Sequence, residues 1–212
     1  IIKCSQEVDL NKFVGMDCYV GVDLAATSDL TAVAYLVVQD GTYYFKTHYY
    51  LPESALKDKA DKELYKYWKQ QGYLTVTSGN VTDYDYITTD MLGYADVVNI
   101  QSVGYDKYNA TQWAIDSTEQ GLPLEEYPQT LGNFNMPTRE LERLILSGKA
   151  VIDNNEINRY CFRNVTLKSD HNGNVKPNKA VDKKKIDGTI AMIQALGMYL
   201  RNPRFSNEII TI

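Results

Sequence analysis

The stretch CYVGVDLAATSDLTAVAYLVV, residues 18–38, constrains the fold more than any other part of the chain. It holds two apolar runs, 18–24 and 31–38, separated by a few small and polar residues, which read as two buried strands joined by a tight connection. QDGT at 39–42 is a hairpin signal and 42–50 supplies a third strand, so the three form an antiparallel meander. This meander leaves Asp23 at the end of its first strand and Asp29 in the connection. A carboxylate at the edge of an apolar sheet loses solvation, and so is paired, hydrogen-bonded or bound to a cation.

Downstream the pattern changes to alternating helices and strands. Residues 52–72 read as a helix with Ser54 as its cap and Gly72 as its stop, 73–79 as a short strand, and 83–98 as a helix leading to a strand at 100–106 that again ends in an acid. A helix over 109–121, capped by Asn109, precedes a short strand at 123–129. A helix over 136–149 capped by Thr138, a strand at 150–152 and a helix near 154–164 come next. A hairpin-like stretch over 164–178 with NGN as its turn then leads to a final apolar helix near 186–200. The order predicts an α/β fold: a mixed five-stranded sheet with an extra hairpin and helices on both faces, in which sites form beside strand ends.

A chain of 212 residues suits a single domain with a real core. Its 44% hydrophobic and 23% charged residues are those of a globular protein, and no apolar stretch approaches a membrane span, so a soluble protein without a membrane partner is expected. Cys4, Cys18 and Cys161 lack metal-knuckle spacing and the start IIKCSQEVDL does not read as a secretion signal, so reduced thiols in a cytoplasm are expected. A beginning without Met that reads as mid-chain suggests a domain excised from a longer polypeptide. His48 and His171 are too far apart to suggest zinc. The net charge of −5 argues against a generally cationic nucleic-acid binder. Yet KPNKAVDKKK, 176–185, gathers Lys176, Lys179, Lys183, Lys184 and Lys185 against the lone Asp182, as a solvated loop or a local DNA-facing patch.

Three acids stand out for chemistry. Asp23 and Asp106 close apolar strands, and Asp187 opens the apolar final helix, whose first turn must therefore lie near the sheet edge. Converging carboxylates repel one another unless a cation intervenes, and Mg²⁺ or Mn²⁺ with oxygen ligands suits such a cluster. Two such ions would activate water and stabilise the leaving oxygen of a phosphodiester. Each acid also has an ordinary structural explanation: Asp23 as a turn cap, Asp106 as the cap of the helix at 109, Asp187 as a first-turn acid favoured by the helix dipole. Lys107 and Asn109, flanking Asp106, and the loop at 130–138 are candidate rims of a DNA groove.

VGVDLAATSDLTAVA (20–34), VGYDKYNATQW (103–113), MPTRELERLILSGKAVID (136–153), NVTLKSDHNGNVKPNK (164–179) and KKKIDGTIAMIQALG (183–197) together resemble the C-terminal nuclease domain of tailed-bacteriophage terminase large subunits, the DNA-packaging motors. The resemblance covers most of the chain. It implies a ribonuclease H-like fold and a metal-dependent endonuclease that cuts double-stranded DNA, with Asp23, Asp106 and Asp187 binding two metal ions. It further implies an N-terminal ATPase domain upstream, a small terminase subunit and a portal as partners, and the cytoplasm of the infected host as location. Some members have a histidine three residues before the last aspartate; here that position is Lys184, so a fourth ligand is not expected there, and Asp29 and Asp182 are the alternative candidates for one. No G-x-x-x-x-G-K-[ST] phosphate loop occurs, so ATP hydrolysis is not expected of this chain. Alternatives are another ribonuclease H-like nuclease, of resolvase or hybrid-cleaving type, and a non-catalytic portal or capsid interaction module. An actin-like ATPase would need a duplicated fold and a second glycine-rich loop, and neither is found.

Overall fold

A computed structural model of the chain describes residues 2–25, 27, 29–57, 61–108, 110–181 and 184–202. Its centre is the expected meander: β2 (Asp17–Asp23), β3 (Thr31–Gln39) and β4 (Thr42–Pro52), where β1 is the short N-terminal strand Ser5–Gln6. β2 pairs antiparallel with β3, and β3 with β4, through the hairpin turn at Asp40–Gly41, both in the left-handed region. β5 is Thr75–Thr77, β6 is Asn99–Tyr105 and β7 is Leu124–Glu126. β6 runs parallel to β2 on the other side, and β7 parallel to β6. The order β4-β3-β2-β6-β7 is the predicted five-stranded mixed sheet. Three short strands extend it at the β4 edge: β8 (Ala150–Asp153) lies along the first part of β4, β5 along its last part, and β1 beyond β8. This is the ribonuclease H-like fold.

The central strands are buried on both faces, which is why they read as continuous apolar runs. Along β3, Ala32, Ala34 and Leu36 point to one core, while Val33, Tyr35 and Val37 point to the other. The helices are α1 (Lys62–Gln70), α2 (Tyr84–Ala95), α3 (Thr111–Glu119), α4 (Leu131–Leu146), α5 (Glu156–Arg163) and α6 (Asp187–Arg201). The first core is shared with α1, α4, α5 and α6, and the second with α2 and α3. α6 is buried from Asp187 to Tyr199, so it is apolar almost all round. It passes so close over β2 that a side chain at Gly21 would overlap the Ala191 carbonyl and the Ala195 amide. No helix among the described residues is long and apolar enough to cross a membrane.

Several boundaries differ from the sequence reading. The stretch predicted as one helix from 52 divides into a 3₁₀ turn, Glu53–Lys57, and α1, with residues 58–60 outside the described set. α3 begins at Thr111 with Ala110 at its cap position, and the predicted cap Asn109 lies outside the described residues. α4 begins five residues earlier than predicted: Thr130, not Thr138, accepts the capping bond from the Asn133 amide at 3.3 Å. Pro137 therefore sits inside the helix, where it cannot donate to the Asn133 carbonyl. The Tyr127 hydroxyl donates to that carbonyl instead, at 2.7 Å. The extra hairpin is present as β9 (Val165–Ser169) and β10 (Val175–Lys179), a separate two-stranded sheet. It is docked on α4 through the Val175 amide, which donates to Asn135 Oδ1 at 2.9 Å, and through Arg139, which donates to the Gly173 carbonyl.

Candidate active site

β2 and β6 run parallel with Val22 opposite Tyr105, so the residues one step further, Asp23 and Asp106, arrive at the same edge of the sheet. The N-terminus of α6 reaches this edge and contributes Asp187. Gly188 makes that approach feasible, because a side chain there would strike the Tyr49 ring on β4. The edge opens into a cleft of about 550 Å³ whose wall includes Asp23, Asp29, Gln129, Lys176, Lys179 and Asp187. Tyr84 and Tyr108 also line it, and Tyr108 is 82% exposed.

The three acids are held differently. Asp187 is 7% exposed, and its Oδ2 is buried without a hydrogen-bond partner among the described residues. Burial raises its pKa above the ordinary carboxylate value, opposed by the backbone amides at the start of α6 and by Lys179 and Lys185. Asp23 accepts from the Gln129 side-chain amide at 3.1 Å. Its pKa is pushed well above the ordinary value, first by desolvation and then by the Asp187 carboxylate, with Gln129 and Lys179 opposing and Asp106 adding to the rise. Asp106 does not itself line the cleft. Its Oδ1 accepts from the Tyr108 amide and its Oδ2 from the Gln129 amide, both at 3.0 Å. It closes a local turn and does not cap α3.

The donor set fits a hard divalent cation. Asp23 and Asp187 face one cleft, burial disfavours the charged form of both, the Asp187 carboxylate further disfavours that of Asp23, and Asp187 carries a buried oxygen with nothing bonded to it among the described residues. The fit is partial in one respect: among the described residues no three His, Cys, Asp or Glu side chains are gathered closely enough to grip one ion. Gln129 stands between Asp23 and Asp106, with its side chain on one and its backbone on the other.

The basic residues divide sharply. Lys176 and Lys179, on β10, line the cleft, and Lys176 Nζ donates to the Gln129 carbonyl at 3.3 Å. Lys185 is ion-paired with Asp29, so this candidate fourth acid already has a cation. The Lys185 pKa is lowered by burial, with Asp187 pulling the other way. Lys184 lies over the Tyr160 ring, 5.7 Å from its centroid, and is not a cleft residue. Lys107 pairs with Glu126 on the exposed surface at 2.8 Å. Asp182, Lys183 and Asn109 lie outside the described residues. Two cleft residues, Gln129 and Tyr84, are not among those the sequence singles out. Gln129 has a readable sign, a polar residue just past the end of a strand that neighbours the strand ending in Asp106; Tyr84, at the start of an ordinary helix, has none.

The family model described as terminase large subunit, endonuclease domain, matches residues 4–202. The chain is similar to the protein YmfN of Escherichia coli strain K12, 30% identical over 224 residues covering 96% of this chain and 48% of that protein. It is 28% identical over 184 residues to the terminase large subunit of Enterobacteria phage HK97, covering 84% of this chain and 36% of that one. The crystal structure of the HK97 large terminase superposes with a TM-score of 0.82 at 26% identity, over 92% of this chain and 41% of that one. The large terminase nuclease from thermophilic phage G20c with bound magnesium shares the fold, with a TM-score of 0.58 at 12% identity over 85% of this chain and 80% of that one. The chain thus spans about half or less of the length of the curated relatives it matches.

Proposed function

Because the chain belongs to the terminase large subunit endonuclease-domain family, we propose that it is a divalent-metal-dependent endonuclease that cuts double-stranded DNA during viral genome packaging, with Asp23, Asp106 and Asp187 as its catalytic acids. The observation that carries this reading is the buried, unpartnered Asp187 Oδ2 in the same cleft as Asp23. Two desolvated carboxylates on one cleft, one of them raised further in pKa by the other's charge, are a stability cost unless a cation is drawn to them.

Asp23 and Asp187 would hold Mg²⁺ or Mn²⁺, two ions in all, with Asp106 completing the set. When bound, the metal supplies activation of the attacking water and stabilisation of charge on the phosphodiester. The chain's own groups do the rest. The fixed strand ends orient Asp23 and Asp106, the start of α6 orients Asp187, and Lys176 and Lys179 draw the phosphate backbone into the cleft. The full-length protein's ATPase domain, small terminase subunit and portal would be its partners, and the host cytoplasm its site of action.

The test is incubation of the purified chain with supercoiled plasmid, with Mg²⁺ or Mn²⁺ and with chelator. Nicked and linear products that need the metal, and that disappear in Asp23→Asn, Asp106→Asn and Asp187→Asn, are expected. Undiminished cleavage in chelator would overturn the metal dependence. Faster cutting of RNA–DNA hybrids or four-way junctions than of plasmid would favour the other ribonuclease H-like activities, and no cutting of any of them the interaction-module reading.

A further inference from the structure

Gln129 is bonded to two of the three acids. Its side-chain amide donates to Asp23 Oδ1 at 3.1 Å, its backbone amide donates to Asp106 Oδ2 at 3.0 Å, and its carbonyl accepts from Lys176 Nζ at 3.3 Å. The backbone on either side is well fixed. The Tyr127 amide donates to the Tyr105 carbonyl at 2.6 Å, the Thr130 amide to the Pro128 carbonyl at 2.7 Å, and Asn133 Nδ2 to the same Pro128 carbonyl at 2.8 Å. Thr130 then caps α4. A residue tied into a strand on one side and a helix cap on the other cannot drift, so the atoms it presents to the acids have fixed positions. A glutamine with no task at a cleft would turn its amide to water; this one donates to a carboxylate.

We propose that Gln129 is a positioning residue of the cleft: it sets the orientation of Asp23 relative to Asp106, and through that the affinity of the site for a divalent cation. The inference rests on the cation reading above and assigns to a residue outside the acid set the geometry on which that reading depends. The amide confines the Asp23 carboxylate to one rotamer, so that less freedom is lost when a cation binds. Groups that orient metal-binding side chains from behind in this way typically alter metal affinity about ten- to a hundredfold when removed.

The test is calorimetric titration of Mn²⁺ into the metal-free chain and into Gln129→Met, which keeps the length of the side chain, leaves the backbone amide on Asp106 and removes only the donor to Asp23. Melting temperatures are measured beside it in chelator. A fall in Mn²⁺ affinity of about tenfold or more, with a metal-free melting temperature within a degree or two of the parent, is the expected result. A glutamine that merely stiffens the fold would instead lower the metal-free melting temperature and leave the affinity of the folded chain unmoved, and that outcome overturns the proposal. Affinity unchanged within twofold, or tighter, also overturns it while leaving the metal reading intact. A parent chain that takes up no Mn²⁺ at millimolar concentration overturns both. If Gln129→Met does not fold, Gln129→Ala is titrated in its place against the same criteria.

Discussion

Asp23 carries two opposed demands. It ends a strand whose other residues are largely buried, and it accepts a hydrogen bond from Gln129, yet desolvation and the Asp187 carboxylate together favour its neutral form. Both Asp23 and Asp187 have folded-state pKa values above the ordinary carboxylate value, so between the ordinary and the raised value the folded chain binds more protons than the unfolded one. Metal-free stability is therefore greatest near and below the ordinary carboxylate pKa, and falls as pH rises through the shifted values. Asp23→Asn removes one charge of the pair and keeps an acceptor for the Gln129 amide. In chelator at about pH 7.5 its melting temperature should exceed that of the parent, by about 2–4 °C for each kcal/mol relieved in a domain of this size. The gap should close toward about pH 4, where the unfolded carboxylates also take up protons. A melting temperature equal to or below the parent's in the neutral buffer would mean that the hydrogen bond outweighs the repulsion, and Asp23 would be a structural cap. Added Mn²⁺ should reverse the order, because it stabilises only the chain with its full set of charges.

The helix α4 shows where an element's limits are set by interactions that no local pattern contains. The sequence predicts a helix over 136–149 with Thr138 as its cap, which leaves Pro137 at the helix start. The helix instead begins at Leu131, because the carbonyl that Pro137 leaves empty is filled by a tyrosine from outside the helix, through the Tyr127 hydroxyl. Tyr127→Phe keeps the ring, which packs under the Arg201 guanidinium and against Phe134, and removes only that donor. It should cost about 1–2 kcal/mol in chemical denaturation, a penalty absent if water replaces the hydroxyl. The meander, the strand ending at Asp106 and the apolar α6 are all legible, since double-faced burial writes itself as continuous apolar sequence. β5 lies within the short strand read at 73–79, whereas the edge strand β1 is not legible, because two residues carry no period. Asp23 and Asp187 can be named as a converging pair from a strand end and a helix start. The bonds of Gln129 cannot, because they depend on the register of β7 beside β6 and on how residues 127–130 turn into α4.

At the scale of the whole molecule, 27 acidic residues outnumber 22 basic ones, so the overall field repels a duplex and any attraction must be local. The hairpin β9–β10 supplies that locality: it stands apart from the main sheet, is anchored to α4, and carries Lys176 and Lys179 into the cleft beside the acids. Lys184, from the same lysine-rich run, directs its charge to the Tyr160 ring, and Lys185 to Asp29. Among the described residues the run is thus not one patch but two lysines facing the cleft and two, Lys184 and Lys185, engaged with other groups. If the first two neutralise phosphates, Lys176→Ala combined with Lys179→Ala should weaken binding of a labelled duplex for all sequences alike. The slope of log affinity against log salt should flatten by about 0.9 for each phosphate that is no longer neutralised. Fluorescence anisotropy over a salt series in chelator reads both quantities without cleavage. Lys184→Ala should leave the slope where it was. Were Lys184→Ala to flatten the slope while the cleft pair did not, the duplex would have to approach from the α5 side, and the cleft holding Asp23 and Asp187 would no longer lie on its path.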